Sequence, residues 1–347
     1  MNNNNLSFPV LTTSDVEYLR DSHNLVYGTP FNQSSIAYKI ILPKGWIAEK
    51  DLGQQEQTSG SLVKIGLFAE TRPQNPAVVQ VFYTSLPFEV GLLDWLEFQS
   101  EQTGVRILHS ATCELACGRA ADVGGVYGDS TNQFIVRSIA HIDNARIFMV
   151  SAMVKKERYI ECTKEVAIAT NFFRLLRPTG GTRFEPLLKI QGKQPNFNVA
   201  SPASWTARLM PPKLSGKSAV DIFLAKDDNM MAYLRVKATD PSIAGKVSIE
   251  EKKQSAIIEL LEANVKLQTS WAKDEKILLQ NTNEPVEILS ASAILGENKV
   301  EVRLGLIQRD ALDFAVTLIS ATKQTERILW MRSKRAYEIA LDTVCPS

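Results

Sequence analysis

Apolar residues recur along this chain in two rhythms, and the same succession of rhythms occurs twice. Between positions 299 and 306, Val300, Val302, Leu304 and Leu306 alternate with Lys299, Glu301, Arg303 and Gly305. Side chains change face at every residue of a strand, so this pattern predicts a strand with one face on a core and one in water. Residues 308–311 predict a turn, and 313–319 a return strand. From about Thr325 the period lengthens: Trp330, Ser333, Tyr337, Leu341 and Val344 fall on one helical face. Earlier, Phe134, Val136, Ala140 and Ile142 predict one face of a strand. Asp143-Asn144 predicts its turn and 146–154 its return strand. Tyr159, Cys162, Val166, Ala169, Phe173 and Leu176 then trace a helix stripe that would cover the sheet. Strand, turn, strand, helix, twice over, predicts two tandem copies of one α+β unit.

The rest of the chain fills in each copy. The first predicts strands at 38–42, 62–68 and 77–83, a helix at 92–103, a strand at 105–111 and a glycine-rich turn at 124–131. The second predicts strands at 219–224 and 231–238 and a helix at 248–264 with Ile249, Ile257, Leu260 and Leu261 apolar. Strands at 265–271 and 286–294 follow, with a turn at 296–298. Tyr38 precedes Trp46 by the same spacing as Phe197 precedes Trp205, an offset of 159 residues between copies. Residues 178–196 hold three prolines and three glycines, which is linker composition. The expected organisation is an N-terminal arm at 1–35, a first domain at 36–177, a linker at 178–196 and a second domain at 197–347. Within the arm, Ser14 and Glu17 have the spacing of a capping box opening a short helix to about His23.

Three stretches carry a family likeness: Tyr38-Lys-Ile-Ile-Leu-Pro-Lys-Gly-Trp46, then Ala77-Val-Val-Gln-Val-Phe-Tyr83, then the closing helix. Together they resemble the PsbP-like fold of the photosystem oxygen-evolving subunit, the DcrB-like bacterial lipoproteins and the Ran-binding nuclear-import release factor. The second opening, Ser201-Pro-Ala-Ser-Trp205, lacks the glycine. The resemblance implies two tandem α/β/α sandwich domains, each an antiparallel sheet with a middle and a closing helix. It also implies a bacterial, non-catalytic protein that binds other proteins as an adaptor or assembly subunit. The family has no shared active site, so no residue is carried over.

Composition narrows the chemistry. The chain has 347 residues, 44% hydrophobic and 22% charged, in the range of ordinary globular proteins. A net charge of +1 favours neither nucleic acid nor an acidic membrane as a partner. No apolar run is long enough to span a bilayer. The start, Met-Asn-Asn-Asn-Asn-Leu, lacks a secretory pattern, which predicts a cytoplasmic location, or a periplasmic one had a leader been removed. Four cysteines make no disulfide framework.

Three chemical signatures fail. Leu214-Ser-Gly-Lys-Ser218 resembles the end of a phosphate loop but has Pro211 where a glycine is required. His109, Cys113 and Cys117 would share a helix face as zinc ligands, yet no second ligand pair follows. Cys162 sits on the apolar stripe, as a small buried hydrophobe would. The three histidines, His23, His109 and His141, lie beside no nucleophile motif; His141 before Asp143 predicts a polar hairpin residue. No catalytic residue, metal or cofactor is therefore expected. Two surfaces are candidates for a protein partner: the arm with Leu6, Phe8 and Leu11, and the basic closing helix with Arg327, Arg332 and Arg335. The arm has a second reading, packed on its own first domain, and so has the closing helix, as a solvated face whose basic residues answer the helix dipole. The alternative function is a small-ligand site, or an enzyme site, in a cleft between the copies.

Overall fold

The computed structural model describes residues 6, 8, 15–49, 60–72, 74–115, 118–210, 216–227, 229–273, 277–278, 285–286 and 288–347. They form two compact units. The first comprises the described parts of Met1–Pro87 with Leu92–Phe184, the second Phe88–Gly91 with Glu185–Ser347.

In the first unit, α1 (Asp15–Ser22) runs into β1 (His23–Gly28), followed by β2 (Tyr38–Pro43), β3 (Ile47–Ala48), β4 (Val63–Ala69) and β5 (Val78–Ser85). Then come α2 (Leu92–Gln102), β6 (Arg106–Leu115), β7 (Gly118–Tyr127), β8 (Phe134–Asp143), β9 (Arg146–Lys155), α3 (Tyr159–Asn171) and β10 (Arg174–Leu175). The main sheet runs β3-β4-β5-β9-β8-β7-β6, antiparallel throughout, and a small sheet runs β1-β2-β10. The closing helix α3 packs on β8, β9 and β2, between the two sheets. The middle helix α2 packs on β6, β7 and β8. There Ser110 donates to Glu97 on the main sheet's other face. Tyr38, Ile40, Val79, Val81, Phe148, Val150, Val166 and Phe173 fill the core.

The second unit repeats this plan. Its strands are β11 (Leu187–Gly192), β12 (Phe197–Pro202), β13 (Thr206–Leu209), β14 (Lys217–Lys226) and β15 (Asn229–Thr239). Helices α4 (Pro241–Ala244) and α5 (Ile249–Glu262) lead to β16 (Val265–Leu267), β17 (Ala272–Lys273), β18 (Ile277–Leu278), β19 (Pro285–Val286) and β20 (Ile288–Leu295). Then β21 (Asn298–Arg309), β22 (Leu312–Ala321), α6 (Arg327–Thr343) and β23 (Cys345–Pro346) close the chain. The main sheet runs β13-β14-β15-β22-β21-β20-β16 and the small sheet β11-β12-β23. Both units thus follow one strand order, with the middle helix after the third main strand and the closing helix after the last. Ser248 and Glu251 cap α5 reciprocally.

Several elements differ from the pattern expected of the sequence. β1 lies inside the stretch read as an arm, and β11 inside the stretch read as a linker. Each forms an edge of a small sheet, where short polar-rich strands are tolerated. The glycine-rich stretch at 124–131 begins within β7, not a turn. A Cβ on Gly125 would come within 2.5 Å of the Arg106 carbonyl, so the close approach of β6 requires glycine. The face of β21 expected in water is covered by α6: Arg303 is 8% exposed and pairs with Glu301, which also accepts from the Trp330 indole at 3.1 Å. Leu176 is 39% exposed, because the helix stops at Asn171 and the chain turns into β10. On α5, Ala256 and Leu260 are buried, whereas Ile249 and Leu261 face out. Ser14 lies outside the described residues. No helix among the described residues is long and apolar enough to cross a membrane.

Candidate functional site

In each unit one face of the small sheet packs on the closing helix, leaving an outward face. In the first unit, Tyr38, Ile40 and Leu42 of β2 point inward, and Val26 of β1 packs with them. Gly28 stands opposite Tyr38, and a Cβ there would lie 2.5 Å from the Tyr38 ring. The outward face therefore carries Leu25 and Tyr27 of β1 and Lys39 and Ile41 of β2, with Arg174 and Leu176 alongside. Leu25 is 47% and Tyr27 63% exposed. Among the described residues β1 pairs only with β2, and no described strand lies along its other edge.

The second unit has the same clamp and a different face. Gly192 of β11 stands opposite Phe197, again too close to the ring for any Cβ. Counting back from each glycine, Tyr27 corresponds to Gln191 and Leu25 to Lys189. Both are exposed. The fold thus accepts polar residues at these two positions, and the apolar pair on β1 is not demanded by it.

The six residues expected to meet a partner are placed as follows. Leu6 and Phe8 pack against the first core: Phe8 meets the Tyr159 ring edge-on at 5.9 Å, and the Arg137 guanidinium sits 4.6 Å over it. Leu11 lies outside the described residues. On α6, Arg327 stacks over Trp330 at 5.5 Å. Arg332 lies over the Phe88 ring at 4.5 Å, and burial lowers its guanidinium from the usual value. Arg335 is 3.6 Å from Glu89 and 3.3 Å from Glu338. All three arginines are half-buried and engaged within the second unit.

Buried polar groups in the first unit are structural in kind. Arg137 of β8 makes a two-pronged contact with Asp122, as close as 2.6 Å, and donates to Thr170 of α3 at 3.0 Å. Arg303 of β21 occupies the matching place, since each arginine stands six residues before the end of its hairpin strand. His141 is not a polar hairpin residue: it is 5% exposed and sits among Phe148 and Phe173, with ring centroids 5.6 and 5.4 Å away. Burial pushes its imidazole down to about 4, reinforced by Arg174 and opposed by Asp143.

Two cavities, each within one unit, are lined by charge. One of about 280 Å³ is rimmed by the Pro43-Lys44-Gly45-Trp46 turn. Its Arg158 holds Glu70 at 2.7 and 3.1 Å, and Arg72 bridges Glu70 and Glu161. Burial alone would raise the Glu70 carboxyl, but the hydrogen bonds from Arg158 and the Ala77 amide, with the charges of Arg158 and Arg72, together outweigh it and hold Glu70 below its usual value. The other, of about 90 Å³, lies under α5, where Arg235 grips Asp221, Lys237 pairs with Glu259 and Lys252 with Asp313. In the first lining the guanidinium and carboxylate groups neutralise one another; in the second, Ser255 donates to Glu259 at 3.4 Å, a carboxylate already paired with Lys237. Cys162, on the first lining, has its thiol raised by burial. His109 and Cys113 lie on β6, a strand, so the helical ligand spacing does not arise; Cys117 is outside the described residues. The described residues hold no cluster of three or more metal-ligating side chains.

No protein-family model matches the sequence, and no curated protein matches it. Solved structures similar in fold include cyanobacterial PsbP from Synechocystis, at 10% identity and TM-score 0.34, covering 44% of this chain and 92% of that one. LpqN, involved in cell envelope biogenesis of Mycobacterium tuberculosis, matches at 14% identity and TM-score 0.30, covering 48% and 97%. The immunity protein TplEi of the T6SS from Pseudomonas aeruginosa matches at 9% identity and TM-score 0.24, covering 93% and 97%. These are likenesses of fold alone. A PsbP is thus among the similar structures, as the opening strand and turn suggest, and the fold is α+β with two tandem sandwiches.

Proposed function

We propose that the protein is a non-catalytic binding protein, an adaptor or assembly subunit, whose partner docks on the outward face of the first unit's small sheet. One observation carries this reading: the face presents Leu25 and Tyr27 to solvent where the equivalent positions of the second unit hold Lys189 and Gln191. Exposed apolar residues that the fold does not need are a usual mark of an interaction surface. Of the residues chosen from sequence, Leu6 and Phe8 engage the first unit's core, Arg327, Arg332 and Arg335 engage the second unit, and Leu11 lies outside the described residues, so none of them is part of this face. The test is co-purification from the native cell with tagged wild-type protein and with a Leu25→Lys, Tyr27→Lys double variant. Partners are identified by mass spectrometry and re-bound in purified form. The wild type should retain a protein that the variant loses, with thermal melting unchanged. The same proteins recovered with both would defeat the reading.

A further inference from the structure

We infer that the partner docks by strand addition: an extended segment of a second protein, carrying acidic among apolar residues, pairs with the edge of β1 that no described strand covers. This rests on the partner-binding reading and specifies the chemistry of that surface.

The direction of the backbone groups follows from the register. The Lys44 amide donates to the Ser22 carbonyl at 2.9 Å, so Ser22 and Lys44 form a hydrogen-bonded pair at the end of the β1–β2 ladder. Antiparallel pairs alternate between bonded and non-bonded. Asn24, Val26 and Gly28 therefore bond to β2, while Leu25 and Tyr27 turn their amides and carbonyls away from it. The far side of β2 agrees: the Leu176 amide donates to the Ala37 carbonyl at 2.9 Å, and Lys39 faces Arg174, so odd-numbered residues of β2 point toward β10. Leu25 and Tyr27 thus offer two donors and two acceptors along an edge that no described strand covers.

Exposed strand edges are usually blunted by charge, above all by lysine. β11 follows that rule with Lys189, whereas β1 has Leu25 at the equivalent place. The charge nearby selects the partner. The three strands β1, β2 and β10 carry Lys39 and Arg174 and no carboxylate; the Arg174 guanidinium donates to the Asn171 and Phe173 carbonyls, so Lys39 is the charge displayed on the face. An incoming strand with Asp or Glu is attracted over about 8 Å at physiological salt, and a lysine-rich one is repelled. Backbone pairing supplies the affinity and the side chains the selection.

The experiment uses the full chain and a fluorescein-labelled peptide of alternating Glu and Val, beside a Lys and Val counterpart, read by fluorescence anisotropy. The Glu peptide should bind, more weakly as salt rises, and the Lys peptide should bind at least about tenfold more weakly. Leu25→Pro removes an outward amide without removing a β1–β2 hydrogen bond, so it should melt as the wild type does. It should weaken the Glu peptide about two- to tenfold, the loss of one hydrogen bond. Amide exchange on the wild type gives a readout that needs no variant: Leu25 and Tyr27 should slow when the peptide is bound. Absence of binding by the Glu peptide, or unchanged exchange at those amides, would overturn strand addition. If the lysine double variant loses its native partner while Leu25→Pro keeps it, the binding function stands and strand addition falls.

Discussion

His141 makes the stability of the first unit depend on acidity in a range where most proteins are indifferent. The perturbation is lowering the pH, with His141→Leu as the control that removes the titrating group. The imidazole is walled by Phe148 and Phe173, its Nε2 has no hydrogen-bond partner among the described residues, and the charged groups acting on it are Arg174 and Asp143. In the unfolded chain it takes a proton near 6.5, in the folded unit only near 4. The unfolded state therefore binds the proton first on acidification. The stability held by neutral His141 is complete above about 6.5 and is lost as the pH falls through the folded value near 4. The gap between those two values, at about 1.4 kcal/mol per pH unit, is worth about 3 kcal/mol. Urea unfolding of wild type and His141→Leu, followed by far-UV circular dichroism from neutral pH down to about 4, measures it. The wild type should lose about 3 kcal/mol relative to the variant across that interval. Parallel stability curves, or a folded-state imidazole that titrates near 6.5 by NMR, would refute the reasoning.

Two further outcomes are expected. Asp122→Ala should cost about 3–5 kcal/mol, because it strands the Arg137 guanidinium in the core; adding Arg137→Met should recover part of that loss. Equal unfolding midpoints for the single and double variants would show that Arg137 reaches water instead. Phe173→Ala should cost about 3–5 kcal/mol, whereas Leu176→Ala should fall within about 0.5 kcal/mol of wild type, and thermal melting of the two compares them directly.

Strong periodicity made the main elements legible. The α6 stripe of Trp330, Ser333, Tyr337, Leu341 and Val344 is buried throughout, and every long hairpin expected between 134 and 154 and between 299 and 319 is present. What failed was the reading of polar residues as solvent markers. Arg303, read as a water-facing position, and His141, read as a polar hairpin residue, both lie under closing helices, where pairing or neutrality lowers the cost of burial, and alternation alone cannot reveal that. β7 was hidden because its central glycines, set by the approach of β6, look like a turn. β1 was hidden for a different reason. Only Val26 and Gly28 of its six residues face the core in a way that periodicity could register, and its apolar residues otherwise point outward. Leu25 and Tyr27 therefore gave no strand signal, whereas Leu6 and Phe8 stood out as apolar residues in a polar stretch and pack against the first core.

The glycine set against an aromatic ring in each small sheet has a consequence for how binding defects will be distributed. Sliding β1 by one residue would reverse every side chain and set a residue with a Cβ against the Tyr38 ring, which has no room for it. Gly28 thus decides which way Leu25 and Tyr27 look through its fit against the Tyr38 ring. A screen for loss of partner recognition should return Gly28 and Tyr38 alongside the exposed pair, and a search that ignores the interior would misfile them as folding mutants. In the second unit the same steric key keeps Lys189 and Gln191 turned to solvent, so one mechanical device displays apolar side chains at one end of the sequence and polar ones at the other.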